Sequence, residues 1–281
     1  MNNDDLCYMS ATEALAKFQA RSLSPVELIS AIIHRAEAIQ ETINPFADCY
    51  FDEALDAAKV SEKKYQNPDN YHGQMGQLEG LPLAVKDSTP IQGRRSANGS
   101  LINKDRIDEF SNPSIERLLE HGANLFARTT CPEFCWLFTC HSRMWGVTRN
   151  PWRLDITPGG SSGGSAAALA AGAATITTGS DSAGSIRQPA SQCGVVGYKP
   201  PYGRMPLSPY NSFNPYVQIG PMARTVADTA LMSNVMSGMH PLDHTSLSDT
   251  CILPEHPLDI AGMKIGFSSD LGHYDLDSDV E

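Results

Sequence analysis

The chain has 281 residues, 41% hydrophobic and 19% charged, which suits one large globular domain or two small ones. Its net charge of −11 argues against broad nucleic-acid binding, which needs clustered Lys and Arg, and against adsorption to an anionic membrane. No apolar run reaches the roughly 18 residues that span a bilayer, and Met1-Asn2-Asn3-Asp4-Asp5 lacks the basic start and apolar stretch of a secretion signal, so the sequence points to a cytoplasmic protein.

Residues 10–20 read as a short helix. A second helix opens at Ser24-Pro25-Val26-Glu27, with Ser24 as N-cap, Pro25 at the first helical position and Glu27 completing a capping box. Leu28, Ile32, Ala36 and Ile39 then recur at helical spacing, which carries this helix to about residue 41. Residues 54–65 form a third helix, and the polar, Gly-rich stretch 66–80 a loop. Residues 81–87 read as a buried strand with a charged end, 114–121 as a helix closed by Gly122, and 125–128 as a strand. Residues 165–171 make a helix of small side chains that stops at Gly172. Strands are expected at 173–178, 195–198 and 263–267, and a helix at 225–236. Strands alternating with helices, several of them apolar throughout, predict an α/β domain: a mixed, largely buried β-sheet with helices on both faces. The polar stretch 271–281 follows the last expected strand without a covering helix. The expectation is a single domain over 1–281 that lacks the C-terminal portion of its fold.

Seven cysteines at scattered spacings fit reduced thiols. Cys131, Cys135, Cys140 and His141 lack the C-x-x-C spacing of common zinc sites, so they read as ordinary thiols, and no metal or cofactor is expected.

The chemistry concentrates in two Ser/Gly clusters. Thr157-Pro158-Gly159-Gly160-Ser161-Ser162-Gly163-Gly164-Ser165 and Gly179-Ser180-Asp181-Ser182-Ala183-Gly184-Ser185 are separated by one helix length. Their side chains are too small to fill a core; they bring backbone N–H groups and hydroxyls close to something else. The G-x-S-x-G nucleophile elbow matches formally at Ser161 and Ser162, but it needs a preceding strand, and residues 150–158 contain two prolines. No phosphate-loop pattern is present. Lys86 ends an apolar strand, where a cation needs a reason to sit. Burial lowers the pKa of a lysine, and an uncharged lysine can act as base toward a serine.

Gly159 to Ala168, Gly179 to Ala190 and Cys193-Gly194-Val195-Val196-Gly197-Tyr198-Lys199-Pro200 together resemble the amidase signature family. Gly80 to Asp87 resembles the lysine segment of that family; Thr148-Arg149-Asn150-Pro151 and Gly220 to Asp228 are also similar to it. The resemblance covers roughly residues 25–267. It implies the amidase signature fold and amide-bond hydrolysis through a Ser–cis-Ser–Lys triad and an acyl-enzyme. Carried over, Ser185 is the nucleophile, Ser161 the cis-serine and Lys86 the base, with backbone N–H groups around Ser182, Ala183, Gly184 and Ser185 holding the oxyanion. It further implies a cis peptide before Ser161 and a helix N-terminus aimed at the site.

Two departures stand out. Ala183-Gly184 replaces an expected pair of glycines, and its extra methyl is expected to narrow the site or alter substrate choice. The family is also considerably longer, so part of the acyl pocket is expected to be missing. Three readings remain open: a stand-alone amidase acting on small carboxamides, a glutaminase-type subunit of a tRNA-dependent amidotransferase, and an inactive truncated relative. Residues 207–213 do not look like the corresponding stretch of the amidotransferase subunit. The expected partner is a small-molecule amide, with no membrane or direct nucleic acid, and the sequence is compatible with a homodimer. Asp181 and Arg187 read as a structural pair holding the nucleophile loop, and Ser162 as a supporting hydroxyl. The histidines receive no role. Tyr202, Tyr210, Phe213 and Tyr216 lie among prolines and fit either a pocket wall or loop packing.

Overall fold

The computed structural model of the chain describes residues 2–207, 214–249, 251–254 and 259–279. Helices α1 (Asn3–Cys7), α2 (Ala11–Gln19) and α3 (Pro25–Ile43) precede the first strand. The capping box is formed: the Ser24 hydroxyl accepts the Val26 N–H at 2.9 Å, and the Glu27 carboxylate accepts the Ser24 N–H at 2.8 Å. α3 buries Leu28, Ile32, Ala36 and Ile39, the residues spaced for it, with Ile29 and Ile33 beside them. Next come β1 (Phe46–Cys49), α4 (Phe51–Gln66), β2 (Pro82–Lys86), α5 (Pro113–Glu120) and β3 (Asn124–Thr129). Gly122 follows α5 at φ +84°, the left-handed turn expected of it, and its N–H closes on the Leu119 carbonyl at 2.9 Å. Two short strands, β4 (His141–Ser142) and β5 (Gly146–Val147), pair with each other. The chain continues through α6 (Gly163–Ala170), β6 (Ile176–Asp181), α7 (Arg187–Cys193), β7 (Val196–Gly197), β8 (Gln218–Ala223) and α8 (Val226–Met236).

Six strands form one mixed sheet in the order β1-β3-β2-β6-β8-β7. β2 is parallel to β3 and to β6; β1 runs antiparallel to β3, and β8 antiparallel to β6 and β7. Leu83, Ala84 and Val85 of β2 are all fully buried. Successive strand residues point to opposite faces, so both faces of the sheet are covered there. Helices α3, α4, α6 and α8 pack against its strands. No helix among the described residues is long and apolar enough to cross a membrane.

The small residues of α6 have a packing reason. A Cβ on Gly164 would lie 2.4 Å from Thr130 Oγ1 and 2.5 Å from the Thr130 backbone nitrogen. The helix therefore lies against the chain leaving β3 at backbone contact distance, which a larger residue would prevent.

Several elements differ from expectation. The strand expected at 173–178 lies at Ile176–Asp181, because Ala173 still closes the end of α6 through a hydrogen bond to the Ala168 carbonyl at 2.8 Å. β8 and α7 were not expected. β8 contains Pro221, yet it is an interior strand. The Pro221 carbonyl points toward the β7 side, where it accepts the Tyr198 N–H at 3.1 Å. A strand residue directs its N–H and C=O to the same side, so the missing proline donor falls opposite the two-residue strand β7 and costs little. Residues 263–267 form no strand: Met263, Ile265 and Phe267 are 63%, 73% and 90% exposed, and no described residue offers them a sheet edge. Residues 208–213, including Tyr210 and Phe213, lie outside the described residues.

Candidate active site

β2 and β6 are parallel neighbours, so their C-terminal ends meet at one edge of the sheet. Lys86 ends β2, two residues beyond the Ala84–Thr177 pair, and is fully buried. Its Nζ lies 2.7 Å from Ser161 Oγ, 3.0 Å from Ser162 Oγ and 2.9 Å from Ser180 Oγ. No carboxylate forms an ion pair with it among the described residues. Three hydroxyls, each able to donate or accept, surround an amine that has no counter-ion. The first Ser/Gly cluster supplies Ser161 and Ser162 just before the first turn of α6, and the Gly160–Ser161 peptide is cis. Ser162 is a supporting hydroxyl, as expected: its Oγ also accepts the Ser180 N–H at 3.3 Å.

The second cluster wraps around Asp181, the last residue of β6. This buried carboxylate accepts hydrogen bonds from the backbone N–H groups of Gly184 (2.7 Å), Ile186 (3.1 Å) and Arg187 (3.3 Å). It also accepts from Arg187 Nε at 2.9 Å and Nη2 at 3.0 Å, the structural pair the sequence suggested. Burial pushes the Asp181 carboxyl up; Arg187 and the three backbone donors more than offset this and hold it at about 2. The loop 182–185 is thereby folded around a fixed charge, with Gly184 at φ +128°. The N–H groups of Ser182, Ala183 and Ser185 have no partner among the described residues, whereas that of Gly184 is engaged by Asp181. The Ser185 hydroxyl is likewise free, and its carbonyl accepts the Ser162 N–H at 3.1 Å, tying the two clusters together.

Ser161, Ser180, Ser182 and Ser185 line a common cavity of about 320 Å³. Ala183 is exposed and does not line it, so its methyl leaves the described cavity unchanged in width. Tyr202 and Tyr216 do not line it either. Phe134 and Trp136 do, with Trp136 largely exposed at the mouth. Among the described residues no group of three or more His, Cys, Asp or Glu side chains is placed to hold a metal ion.

The chain matches the Amidase family over residues 27–281. The chain belongs to the amidase signature family. Among curated amidase relatives, a glutamyl-tRNA(Gln) amidotransferase subunit from Carboxydothermus hydrogenoformans is 37% identical over 285 residues, covering 99% of this chain and 57% of that protein. Its counterpart from Chloroflexus aurantiacus is 38% identical over 268 residues, covering 93% of this chain and 54% of that protein. The solved structure of a bacterial aryl acylamidase of the amidase signature family superposes with a TM-score of 0.81 at 30% identity, over 87% of this chain and 51% of that one. The chain thus spans about half the length of the relatives it matches, with the amidase signature fold over the shared part.

Several residues that brace this site were not singled out from the sequence. Asp87 accepts hydrogen bonds from the backbone of Ala97 (3.0 Å) and Gly99 (2.9 Å) and from Trp145 Nε1 (2.9 Å). Its own carbonyl accepts from Arg128 Nη2 at 3.1 Å, a fully buried guanidinium that also holds the Thr89 carbonyl and Ser96. Lys86 is therefore fixed through its backbone neighbour. Asp87 alone carried a readable signal, a second charge at the end of an apolar strand; Arg128 and Trp145 reach it from 41 and 58 residues away. Ser180 became readable only once the register placed residues 178–180 level with Lys86.

Proposed function

We propose that residues 1–281 form the N-terminal, catalytic part of an amidase signature domain and that it hydrolyses amides through Lys86, Ser161 and Ser185. The observation that carries this reading is the buried Lys86 amine, held 2.7 Å from Ser161 Oγ with serine hydroxyls as its side-chain partners. Ser185 Oγ attacks the carbonyl carbon of the amide. Its proton passes to Ser161 Oγ, and the proton of Ser161 passes to unprotonated Lys86. The negative charge that develops on the carbonyl oxygen is met by the free N–H groups of Ser182 and Ser185, which line the cavity, while Asp181 keeps the loop that carries them in shape. A single donor of this kind is worth about 10²–10³ in rate. Collapse of the tetrahedral adduct breaks the C–N bond. The protons return from Lys86 through Ser161 to the departing nitrogen, leaving an acyl-Ser185 ester that water cleaves by the same relay. The α6 N-terminus, immediately after Ser162, adds a favourable field for this charge.

The test is ammonia release from a panel of simple carboxamides together with labelling of Ser185 by a fluorophosphonate. Loss of both in Ser185→Ala supports the reading. Unchanged turnover in that variant sinks it, and no labelling of the folded wild-type chain favours the inactive relative. The curated relatives favour a second reading, in which the same site releases ammonia from glutamine for a partner protein. Co-purification with partner proteins and a tRNA-dependent glutaminase rate would select it over the stand-alone amidase.

A further inference from the structure

Two thiols share the wall of this cavity. Cys131, just beyond β3, is buried, and Cys135, on the next turn, is half-buried and lines the cavity with Ser161, Ser180 and Ser185. The two thiols share one acceptor: both reach Asn98 Oδ1, Cys135 Sγ at 3.4 Å and Cys131 Sγ at 4.0 Å. Ser88 and Ser161 line the same cavity as Cys135, which lies in the field of Lys86. The third cysteine of this segment is turned away: Cys140 Sγ donates to the Thr130 carbonyl at 3.6 Å.

The pair is chemically unequal. Interaction with the neighbouring Cys131 thiol lowers the Cys135 thiol, burial works against it, and Lys86 lowers it again, leaving it well below the usual range. The same interaction, and then burial, push Cys131 well up. Burial also pushes up Cys7 and Cys140, and takes Cys193 to about 12. The thiolate is the nucleophile in sulfur chemistry. A half-buried thiol with a lowered pKa beside a buried thiol with a raised one is the arrangement of an attacking and a resolving cysteine.

We propose that Cys131 and Cys135 are a reversible oxidation site for a small hydroperoxide, closing to an intramolecular disulfide on the wall of the cavity. The Cys135 thiolate attacks one peroxide oxygen; an S–O bond forms, the O–O bond breaks, and the departing oxygen takes a proton as alcohol or water. This leaves a sulfenic acid on Cys135. Cys131 sulfur attacks that sulfur; the S–S bond forms, the S–O bond breaks, and hydroxide leaves with the Cys131 proton as water. The thiols together give two electrons, the peroxide is reduced by two, and an added dithiol reverses the change.

The test reads sulfur chemistry alone and is independent of amidase turnover. Trypsin releases residues 129–143 as one peptide holding Cys131, Cys135 and Cys140. The folded wild-type chain is treated with hydrogen peroxide, alkylated and digested. The expected peptide carries one alkyl group, on Cys140, has lost two hydrogens, and gives no backbone fragments between residues 131 and 135. Dithiothreitol before alkylation restores three alkyl groups. In Cys131→Ser the sulfenic acid is expected to persist on Cys135 and to be trapped by a 1,3-diketone. The proposal is overturned if Cys131 and Cys135 stay fully alkylatable after Cys251, an exposed free cysteine elsewhere in the chain, has been oxidised, or if the disulfide joins Cys140 instead. The wild-type peptide decides between these outcomes even where Cys131→Ser does not fold.

Discussion

Replacing Asp181 by asparagine removes the charge around which the 182–185 loop is folded. The carboxyl stands at about 2 in the folded chain, against an ordinary value of 3.8. At about 1.4 kcal/mol per pKa unit this is worth about 2 kcal/mol of stability at neutral pH. The Arg187 side chain is 57% exposed, so solvent screens its share and the figure is an upper bound. The sign follows from the direction. A carboxyl depressed by folding stabilises fully above its unfolded value, near pH 4, and loses that contribution as pH falls toward 2. Urea unfolding of wild type and Asp181→Asn should therefore differ by at least about 1–2 kcal/mol at pH 7 and pH 5, and the gap should narrow by about that amount between pH 4 and pH 2. Taking the difference between the two proteins cancels the other carboxylates that titrate in that range. The asparagine amide also faces the donors of Gly184, Ile186 and Arg187, which adds a cost independent of pH. A gap of the same size at every pH, or one below about 0.5 kcal/mol at pH 7, would refute the assignment of the loop to this charge.

Lys86→Met should lower the rate of amide hydrolysis by about 10³-fold or more, and adding Ser161→Ala should lower it little further, because the two act as one relay; initial rates of ammonia release check this. Gly164→Ala would place a methyl 2.4–2.6 Å from Thr130 and the Pro45 carbonyl and should cost about 1–3 kcal/mol, read as a lowered thermal midpoint. In Gly184→Ala the new Cβ meets only Phe138, at 3.9 Å, but the residue sits at φ +128°, so its cost is one of backbone conformation in the loop beside Ser185. That variant should lose more in kcat than in thermal midpoint, judged by activity and melting on the same sample. Leu118→Ala opens a cavity at a fully buried site and should cost about 2–5 kcal/mol in urea unfolding, with no change in the fluorophosphonate labelling of Ser185.

The elements legible in the sequence were those with local instructions. Ser24, Pro25 and Glu27 cap α3 through bonds that span three residues or fewer, and the apolar spacing of α3 needs no partner to be read. β2 and β3 are short runs of buried residues bounded by turns. β8 was hidden because Gly220 and Pro221 interrupt its pattern, and its place is set by β6, about forty residues earlier in the chain. Residues 263–267 show the opposite error: alternation makes a strand plausible, but a strand exists only against a neighbour, and here Phe267 is 90% exposed. The Ser/Gly clusters announced a site through composition alone. What composition could not state is that Asp181 takes the Gly184 N–H, because that depends on how the loop turns back on its own strand.

The strand order explains why these clusters and Lys86 converge. From β2 the chain steps to β3 on one side, then crosses to β6 on the other side of β2. The connections leaving the carboxyl end of β2 diverge there, and in open α/β sheets such a divergence leaves a crevice outside the strand ends. Lys86 stands at the edge of that crevice, with Ser180 on the adjacent strand and Ser161 arriving on the return path into α6. Here the helix start and the strand end enclose its amine in hydroxyls at 2.7–3.0 Å, so its side-chain partners are groups that can themselves give up or take a proton. A residue placed this way is poorly suited to a purely structural ion pair and well suited to proton transfer. If Lys86 were only a structural cation, Lys86→Met, which keeps much of its apolar stem, should retain amide hydrolysis; a relay requires that rate to collapse while the fold survives.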